Sequence, residues 1–527
     1  MPNNELGDFQ TPLTLARQVV EIVGKGTWDR VLEPTCGAGS FLEASTSLAP
    51  REMLGLELQA EYAEKARRFA PVVQDNIFDI DLGSDLPWND PMGSLLVIGN
   101  PPWVTNSQLG LLGSANLPAK RNIRQLRGIE AMTGASNFDI AECIWLKLIA
   151  DLHEQEPTIA LLCKTIVARN VLTYSAQHKL PIGDAALYMI EAKEWFGVSV
   201  DACLFVVTVR HGADNYTCRW YPSLSATDEE RTIGVVDGRM VSDAVAYEET
   251  RCIDGVSPVE WRQGIKHDAS GVMELTFDGE ALRTKSGEVL DLEPGYVFPM
   301  LKGTDVFRGR TVADGKRMIV PHRSLKHDPS DLAEHAPSVW SYLVQHGEAM
   351  DGRKSSIYRN RPRFCIFGVG EYSFAPFKVA VSGLHKEARF RAVGPVGGTP
   401  VVFDDTCYFI PAASALRAAG LSAVLNSSMC QKAIESLAFW DAKRPITKKL
   451  LQRLDLVAVV RLTSRTELQA LAEEAMEYQL HLPVRGPSVL DGLDEVLAQW
   501  DTPSSPAPKV WRVRARRLSR SRPRSGG

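Results

Sequence analysis

Short apolar runs recur along the first part of the chain and alternate with segments whose apolar residues follow a helical spacing. The runs are VLEPTC, MLGLEL, VVQDNI, SLLVIGN, TIALLC and ACLFVVTV. The helical spacing predicts helices over residues 13–23, 59–69 and 138–152. This alternation predicts an α/β domain built on a mostly parallel, doubly wound sheet. Ligands of such sheets bind beyond the carboxyl ends of the strands, so the residues that follow each run are candidates for a site.

The organisation of the chain changes after Val209. Residues 213–262 mix charges, turn residues and scattered aromatic residues, which predicts a connector after a first domain of residues 1–212. Residues 263–500 contain short alternating segments with many glycines, prolines and aromatic residues, which predicts a second, strand-rich α+β domain. Residues 501–527 form a low-complexity basic tail that we expect to be disordered.

Composition limits the classes of protein without naming a function. The chain has 527 residues, of which 44% are hydrophobic and 23% charged, values typical of globular proteins with several domains. Its net charge of -5 argues against a nucleic-acid partner, although residues 503–527 carry eight basic and no acidic side chains. Nine cysteines without a CxxC pair and ten histidines without HExxH predict neither disulfides nor a metal site. The chain shows no signal peptide and no apolar run long enough for a membrane span, so we expect a cytoplasmic protein.

A glycine-containing turn follows the first apolar run. In VLEPTCGAGSFL, Gly37 and Gly39 let the backbone turn into a helix and approach a ligand closely. Glu57 lies 18 residues after Gly39, where a doubly wound nucleotide site places an acid on ribose hydroxyls, and Asp75 lies 18 residues further on. Either acid alone is better explained as a solvated residue at a strand end. Together with the glycine turn, the two acids predict an adenosyl-binding pocket.

The fourth apolar run leads directly into Asn100, Pro101, Pro102 and Trp103. Two prolines have no backbone N–H to donate and stiffen the chain, which leaves carbonyl oxygens free to face a ligand. The Asn100 side-chain oxygen and the Pro101 carbonyl could both accept hydrogen bonds from one amino group, and Trp103 offers a face for stacking. A proline-stiffened loop without a ligand is the alternative. The combination predicts a site for an amino group on a planar ring.

These segments resemble the S-adenosylmethionine-dependent, adenine-specific DNA methyltransferases of restriction–modification systems with the gamma motif order, over residues 7–210. The resemblance implies a Rossmann-like class I methyltransferase domain that binds S-adenosyl-L-methionine. From GDFQTP, LEPTCGAGSFL and the two acids, it implies cofactor contacts by Thr11, Pro12, Glu33, Pro34, Cys36, Gly37, Gly39, Phe41, Glu57 and Asp75. NPPW is similar to the catalytic tetrapeptide, with Trp103 where Tyr or Phe is more usual, and implies catalytic roles for Asn100, Pro101, Pro102 and Trp103.

A late motif, EWFGVSVDACLFV, resembles the segment of this family whose aromatic residue stacks on an extruded base. The resemblance gives this role to Phe196, together with Trp103. Simple packing in the core is the alternative for Phe196.

The second half of the chain resembles the target-recognition part of some large adenine methyltransferases of restriction systems. The similar segments include YVFPMLKGTDVF, KSSIYRNRPRFCIFGVG and FWDAKRPITKKLLQRLDL. Two basic clusters in these segments are interleaved with aromatic residues, a pattern typical of nucleic-acid contacts. The candidate DNA-binding residues are Lys354, Arg359, Arg361, Lys443 and Arg444. A solvated surface is the alternative for either cluster taken alone.

The resemblance implies methyl transfer to the 6-amino group of adenine in a specific double-stranded DNA sequence, with the target base flipped out and no metal required. It also implies a monomeric, nucleoid-associated bacterial protein that acts as a modification enzyme in restriction–modification or phage defence, and it leaves open a separate restriction endonuclease as partner. A fused restriction endonuclease–methyltransferase and a methyltransferase of RNA or protein glutamine are the alternatives. Because the chain begins at the cofactor motif, we expect no N-terminal nuclease, and the length beyond the catalytic unit favours duplex DNA.

Overall fold

The computed structural model describes residues 9–104, 139–310 and 315–500. The first two residues of the predicted motif GDFQTP and the whole basic tail lie outside the described residues. None of the helices in these ranges has the length and apolar character needed to cross a membrane.

The first part of the chain folds around a ten-stranded sheet. Its strands are β1 (Arg30–Glu33), β2 (Glu52–Glu57), β3 (Val72–Gln74), β4 (Leu95–Gly99), β5 (Thr158–Lys164), β6 (Ile182–Ile190), β7 (Ala202–Val209), β8 (Thr217–Tyr221), β9 (Arg231–Val236) and β10 (Arg239–Val241). They lie in the order β10-β9-β8-β6-β7-β5-β4-β1-β2-β3. The five strands from β3 to β5 are parallel, and β7 is inserted antiparallel between β5 and β6. The carboxyl ends of β1, β2 and β4 therefore meet at one edge of the sheet.

Helices cover both faces of this sheet. They are α1 (Leu13–Val23), α2 (Ser40–Ser45), α3 (Ala60–Ala66), α4 (Ile140–Leu152), α5 (Thr165–His178) and α6 (Ala192–Phe196). Along β4, Leu95 and Val97 pack in a core with α4 and α5, whereas Leu96 and Ile98 pack on the other face with α1 and α2. All of β4 is buried, which explains its uninterrupted apolar sequence. The predicted α/β fold class is confirmed.

The stretch predicted as a connector is folded into both halves. β8 pairs parallel with β6, and β9 and β10 extend the same sheet in antiparallel fashion. The helix that follows, α7 (Ala244–Thr250), places Tyr247 in the core of the second half, together with Trp261. The first sheet therefore continues beyond residue 212, and the chain crosses into the second half between β10 and α7.

The second half contains two smaller sheets and many helices. The sheets have the orders β11-β20-β17-β18 and β14-β13-β12-β16-β15-β19. Their strands are β11 (Arg262–Gln263), β12 (Glu274–Phe277), β13 (Leu282–Arg283), β14 (Val289–Leu290), β15 (Val297–Leu301), β16 (Lys316–Ile319), β17 (Phe377–Ser382), β18 (Arg391–Val393), β19 (Val402–Phe403) and β20 (Cys407–Ala412). The helices are α8 (Ser270–Met273), α9 (Gly303–Arg308), α10 (Leu332–His335), α11 (Pro337–Gln345), α12 (Gly347–Asp351), α13 (Ala415–Asn426), α14 (Ser428–Leu437), α15 (Lys448–Leu451), α16 (Leu456–Leu462), α17 (Arg465–Glu474) and α18 (Asp491–Trp500). Strands and helices are thus mixed here, as an α+β region requires.

A buried ion pair joins the two halves. Arg169 of α5 lies 3.3 Å from the carboxylate of Asp441, and these side chains are only 9% and 10% exposed. The Arg169 guanidinium also lies 4.2 Å from the ring centre of Phe439, and that ring packs against the core of the first half. Arg231 of β9 approaches the same carboxylate at 3.9 Å. The contact between the halves therefore combines an apolar side chain with a shared carboxylate.

Candidate active site

A pocket of about 1000 Å³, open to solvent, lies beyond the carboxyl ends of β1, β2 and β4. This is the edge at which the sequence placed the site. The side chains and backbone that line it come from Phe9, Gln10, Thr11, Glu33, Pro34, Thr35, Cys36, Gly37, Ser40, Leu56, Glu57, Leu58, Gln59, Asp75, Asn76, Ile77, Phe78, Asn100, Pro102, Val104, Ile140 and Ile144. The glycine turn, the two acids and the NPPW segment therefore face one cavity.

The glycine turn is held by side chains from outside it. Gly37 and Gly39 have φ angles of 50° and 90°, which L-residues with side chains seldom adopt. The Gly37 N–H donates to Oε2 of Glu57 at 2.8 Å, and the Ala38 N–H donates to the side-chain oxygen of Gln10 at 3.0 Å. A Cβ on Gly39 would lie 3.0 Å from the Cα of Ala66 in α3. Close helix packing therefore demands glycine at this position.

Two groups on the floor of the pocket are buried, and burial raises the pKa of both. Glu33 is 3% exposed, and burial raises the pKa of its carboxyl well above the ordinary value, even though Oε2 accepts a hydrogen bond from the Leu42 N–H at 3.0 Å. Burial also raises the pKa of the Cys36 thiol, and the neighbouring carboxyl groups of Glu33 and Glu57 add to this effect. Because the thiolate is the nucleophilic form, Cys36 is not a candidate nucleophile.

The two acids occupy different places in the pocket. Glu57 is buried at the end of β2, where its second oxygen accepts a hydrogen bond from the Gln59 N–H at 2.8 Å. Asp75 is exposed just after β3, and its Oδ1 accepts from the Asn76 N–H at 2.7 Å. Glu57 therefore fixes the shape of the glycine turn as well as facing the cavity, whereas Asp75 lies at its rim.

Several pocket residues were not found from the sequence. They include Gln10, Leu58, Gln59, Asn76, Ile77 and Phe78. Leu58 directly follows Glu57, and Ile77 and Phe78 follow Asp75 after one residue. Apolar residues next to the acids of a nucleotide pocket offer surfaces on which a base can pack. Their position next to Glu57 and Asp75 could have identified these apolar residues from the sequence.

The side-chain nitrogen of Asn100 donates two hydrogen bonds, whereas its side-chain oxygen has no partner among the described residues. Its Nδ2 donates to the Phe9 carbonyl at 3.3 Å and to the Thr11 hydroxyl at 3.1 Å. Its Oδ1 is buried and has no hydrogen-bond partner among the described residues. A buried acceptor without a donor is costly, and native structures usually satisfy it. The geometry thus offers this oxygen to a donor from a ligand.

Three aromatic rings cluster behind Asn100. Trp103 and Phe196 meet edge to face with ring centres 5.1 Å apart, and Phe9 lies within 6 Å of both. Trp103 is only 5% exposed, and its indole N–H donates to the Leu162 carbonyl at 3.4 Å. Phe196 is half-buried. The structure brings these two candidate stacking residues together, with Trp103 largely enclosed in the core.

An ion pair holds the backbone at the end of the NPPW segment. The Lys164 ammonium, at the end of β5, donates to the Trp103 carbonyl at 3.0 Å and to Asp139 at 2.7 Å. Asp139 caps α4 through the Ala141 N–H at 3.1 Å, and burial raises the pKa of its carboxyl although Lys164 opposes this. The Ile140 N–H donates to the Val104 carbonyl at 3.0 Å. Lys164 and the start of α4 therefore fix the two residues that follow the prolines.

Some predicted site residues do not reach the pocket. Phe41 is 1% exposed and packs in the core with α1, because its side chain lies on the inner face of α2. Pro12, Gly39, Pro101 and Trp103 lie beside the cavity without lining it. The Phe41 side chain therefore does not line the pocket in which we expected it to contact the cofactor.

The candidate DNA-binding residues differ in their surroundings. Lys354, Arg359 and Arg361 are exposed, and the Arg361 guanidinium lies 6.0 Å from the Phe367 ring. Lys443 is also exposed, but Arg444 is half-buried and bonds to Asp405, both to its carbonyl at 3.2 Å and to its carboxylate at 3.4 Å. Arg444 therefore has a partner within the second half.

The lining of the pocket fits an adenosyl cofactor. Asn100 and Thr35 line it, and Asn100 Oδ1 and Thr35 Oγ1 are buried without a hydrogen-bond partner in the described ranges. Apolar side chains flank the two acids, as a nucleoside requires. No three His, Cys, Asp or Glu side chains among the described residues form a group that could hold a metal ion.

Comparisons with known proteins extend over both halves of the chain. No family model matches it. The type II methyltransferase M.NspV from Nostoc sp. is 39% identical over 463 residues, which cover 86% of this chain and 96% of that protein. The solved structure of the type IIL restriction-modification enzyme MmeI in complex with DNA has a similar fold, with a TM-score of 0.53 at 13% identity over 93% of this chain and 76% of that chain.

Proposed function

The chain belongs to the family of type II DNA methyltransferases of restriction–modification systems, and from this premise we propose that it methylates the exocyclic 6-amino group of adenine in a specific duplex sequence. Use of S-adenosylmethionine follows from the family and the class I fold. The choice of the adenine amine rests on the pocket itself.

The observation that carries the proposal is the buried, unpartnered Oδ1 of Asn100. Its Nδ2 is engaged by Phe9 and Thr11, and these two contacts fix the orientation of the amide in the wall of the pocket. In the proposed complex this oxygen accepts one hydrogen of the adenine amine and the Pro101 carbonyl accepts the other. The two acceptors draw the amine out of conjugation with the ring and raise the nucleophilicity of its nitrogen, which is electrostatic preorganisation.

The cofactor would lie over the glycine turn. Glu57 and Asp75 would accept from its ribose and its adenine, Leu58 and Ile77 would pack on the base, and Thr11 lies toward its methionine part. When bound, S-adenosylmethionine supplies a methyl group that is activated by its sulfonium. Burial raises the pKa of both Glu33 and Cys36, which disfavours negative charge on the floor of the pocket.

A base inside a duplex cannot reach this pocket, so we expect the target adenine to be flipped out. Trp103 and Phe196 are the proposed stacking surface, and their edge-to-face contact at 5.1 Å leaves Phe196 the more accessible ring. The exposed cations Lys354, Arg359, Arg361 and Lys443 are the proposed contacts to the duplex in the second half, with Arg444 bridging to Asp405. We expect the protein to act as a monomer, and a separate restriction endonuclease as its partner stays open.

The test measures the modified base directly. Purified protein, S-adenosylmethionine and plasmid from a methylation-free host should yield N6-methyladenine, detected by mass spectrometry of nucleosides, in one sequence motif. Asn100→Ala should lower the rate about 100-fold or more while calorimetry shows unchanged cofactor binding, because only the transition-state acceptor is removed. Asn89→Ala, an exposed asparagine outside the pocket, is the matched control.

Other products would contradict the proposal. Full activity of Asn100→Ala or methylation of cytosine alone would overturn the role of the pocket. Methylation of RNA or of a protein glutamine alone would overturn the substrate. Cleavage of the plasmid in the presence of magnesium would indicate a fused endonuclease.

A further inference from the structure

Five cations of the second half form a cluster that lies apart from the candidate DNA-binding residues named above. They are Arg308, Arg310, Lys386, Arg389 and Arg391, and we call them the second basic cluster. They come from two segments, FRGR at the end of α9 and HKEARFR before and within β18. We propose that this cluster binds the phosphate backbone of the duplex next to the target base, an inference that rests on the proposed function.

Contacts between the two segments bring the cations together. The Arg391 guanidinium lies over Gly309, where a Cβ would be 3.2 Å from its central carbon. The Phe307 and His385 rings stack at 4.0 Å, and the Arg389 guanidinium lies 4.6 Å from the Phe307 ring centre. Gly309 has a φ of 63°, a conformation that glycine adopts without strain. The absence of a side chain at Gly309 therefore leaves room for the Arg391 guanidinium beside this turn.

Neighbouring carboxylates neutralise only part of the positive charge of the second basic cluster. Glu387 pairs with Arg389 at 2.7 Å, and Asp305 pairs with Arg310 at 3.3 Å and with Lys316. Within the described ranges no ion pair engages Arg308, Lys386 or Arg391, and Nε of Arg391 is buried without a hydrogen-bond partner. Burial lowers the pKa of His385, and the charges of Arg308 and Arg389 lower it further. Repulsion within the cluster would be relieved by an external anion.

The segment that carries Lys386 packs beside the junction of the two halves. Gly383, three residues before Lys386, lies against the Ile446 carbonyl, because a Cβ on Gly383 would be 3.2 Å from that oxygen. Asp441, five residues before Ile446, pairs with Arg169 of α5, the helix that directly follows β5. β5 pairs with β4, the strand that leads into the NPPW segment. A duplex that presents a base to the pocket would therefore have phosphates near these cations.

Phosphates fit this cluster for a physical reason. Guanidinium groups bind phosphate oxygens in fork geometry, and each neutralised phosphate releases condensed counterions. Such contacts are independent of sequence and strongly dependent on salt. The cluster should thus position the duplex, while base recognition lies elsewhere in the second half.

The test compares salt dependence of binding in two double variants of the full chain. Arg308→Gln/Lys386→Gln removes two exposed, unpaired cations, and Lys25→Gln/Lys179→Gln removes two exposed cations at the opposite edge of the first sheet. Dissociation constants are measured by fluorescence anisotropy for two duplexes of unrelated sequence between low and moderate potassium chloride. In the cluster variant, the plot of log affinity against log salt concentration should become less steep by about 2, because each lost phosphate contact contributes about 0.9 to the slope. The change should be the same for both duplexes. The control should keep the wild-type slope.

Each outcome has a consequence. A wild-type slope in the cluster variant would overturn the inference, whether or not adenine is methylated. A loss confined to one duplex would overturn the backbone assignment in favour of a base contact. If the wild type methylates DNA and the salt slope of the cluster variant equals that of the wild type, only the inference fails. A wild type that binds neither duplex would overturn both the inference and the proposed function.

Discussion

Burial and hydrogen bonding, residue by residue, decide which carboxyl groups are charged. Glu33 and Glu274 are 3% and 7% exposed, but their pKa values move in opposite directions. Burial raises the pKa of Glu33. Burial acts on Glu274 in the same sense, yet hydrogen bonds and charges from His267 and Lys302 lower its pKa to about 2. Lys302 lies 2.6 Å from one of its oxygens, which explains the difference.

This contrast predicts how stability depends on pH. The folded pKa of Glu274 lies below its ordinary value of 4.5, so its contribution is complete above about pH 5. That contribution is lost as the pH falls through 4 toward 2, because the unfolded chain then binds the additional proton. The difference in melting temperature between the wild type and Glu274→Gln should therefore shrink between pH 6 and pH 3.5.

The matched control is Glu280→Gln, because Glu280 is exposed. The difference in melting temperature between this variant and the wild type should stay small over the same pH range. Differential scanning calorimetry at several pH values measures both. A difference for Glu274→Gln that is constant with pH would contradict the assignment of charge to this buried carboxyl.

Residue-level reasoning found the chemistry of the pocket better than its packing. Glu57, Asp75 and Asn100 were placed by their position after apolar runs, and all three line one cavity. Phe41 was expected at the cofactor, but a helix face is set by tertiary packing, and this ring turns into the core. Gln10 reaches the glycine turn from a distant segment, and no local pattern signals such a contact.

Among elements, the ends of strands and helices carry the positioning of the site. Lys164 ends β5, Asp139 caps α4, and both hold the segment that follows β4. A charge-assisted hydrogen bond at a partly buried site is worth more than a neutral one. Lys164 is thus a positioning residue that acts through the Trp103 backbone.

Lys164→Met should slow methyl transfer about tenfold, because a hydrogen bond to a charged group contributes about 1.5 kcal/mol. Cofactor affinity should stay unchanged, since the cofactor side of the pocket is formed by β1 and β2. Single-turnover kinetics and calorimetry separate the two effects.

The control is Lys147→Met, which breaks a pair of similar burial within α4, between Lys147 and Asp151 at 2.5 Å. Equal losses of rate in both variants would indicate a general effect on stability rather than positioning of the NPPW segment.

Apolar runs predicted most clearly the strands that are covered on both faces. β1, β4 and β5 are buried almost throughout and were evident. β6 and β9 have exposed or half-buried positions and mixed sequences, so they escaped the pattern, and the stretch that contains β8 to β10 was expected to be a connector. A strand toward the edge of a sheet needs fewer apolar side chains, which removes the signal.

At the scale of the whole molecule, Asp441 is a charged group that serves both halves. It receives Arg169 at 3.3 Å and Arg231 at 3.9 Å, and the environment is nearly dry. Removing one partner of a buried ion pair leaves the other charge uncompensated. The sequence could not predict this pairing because its members lie 272 residues apart.

Asp441→Asn should lower the free energy of unfolding by about 3 kcal/mol, the cost of an unpaired buried cation. Urea unfolding followed by tryptophan fluorescence measures the loss. Asp90→Asn, which breaks the exposed pair with Arg51, should cost less than about 1 kcal/mol.

The triple variant Arg169→Met/Arg231→Met/Asp441→Leu should recover most of the stability, because neither guanidinium that faces this carboxylate then remains without a partner. An Asp441→Asn variant as stable as Asp90→Asn would show that the junction does not depend on this carboxylate.

The junction at Phe439 and Asp441 sets a condition for the exchange of recognition modules. If a different second half were joined after β10, it would meet Arg169, Trp220 and Arg231 of the first half. The side chains of these three residues line a small cavity at the junction. A second half that brings an aromatic ring followed two residues later by a carboxylate can make the contacts that Phe439 and Asp441 make here. This short element is therefore a requirement for joining the two halves that is separate from any requirement for DNA contacts.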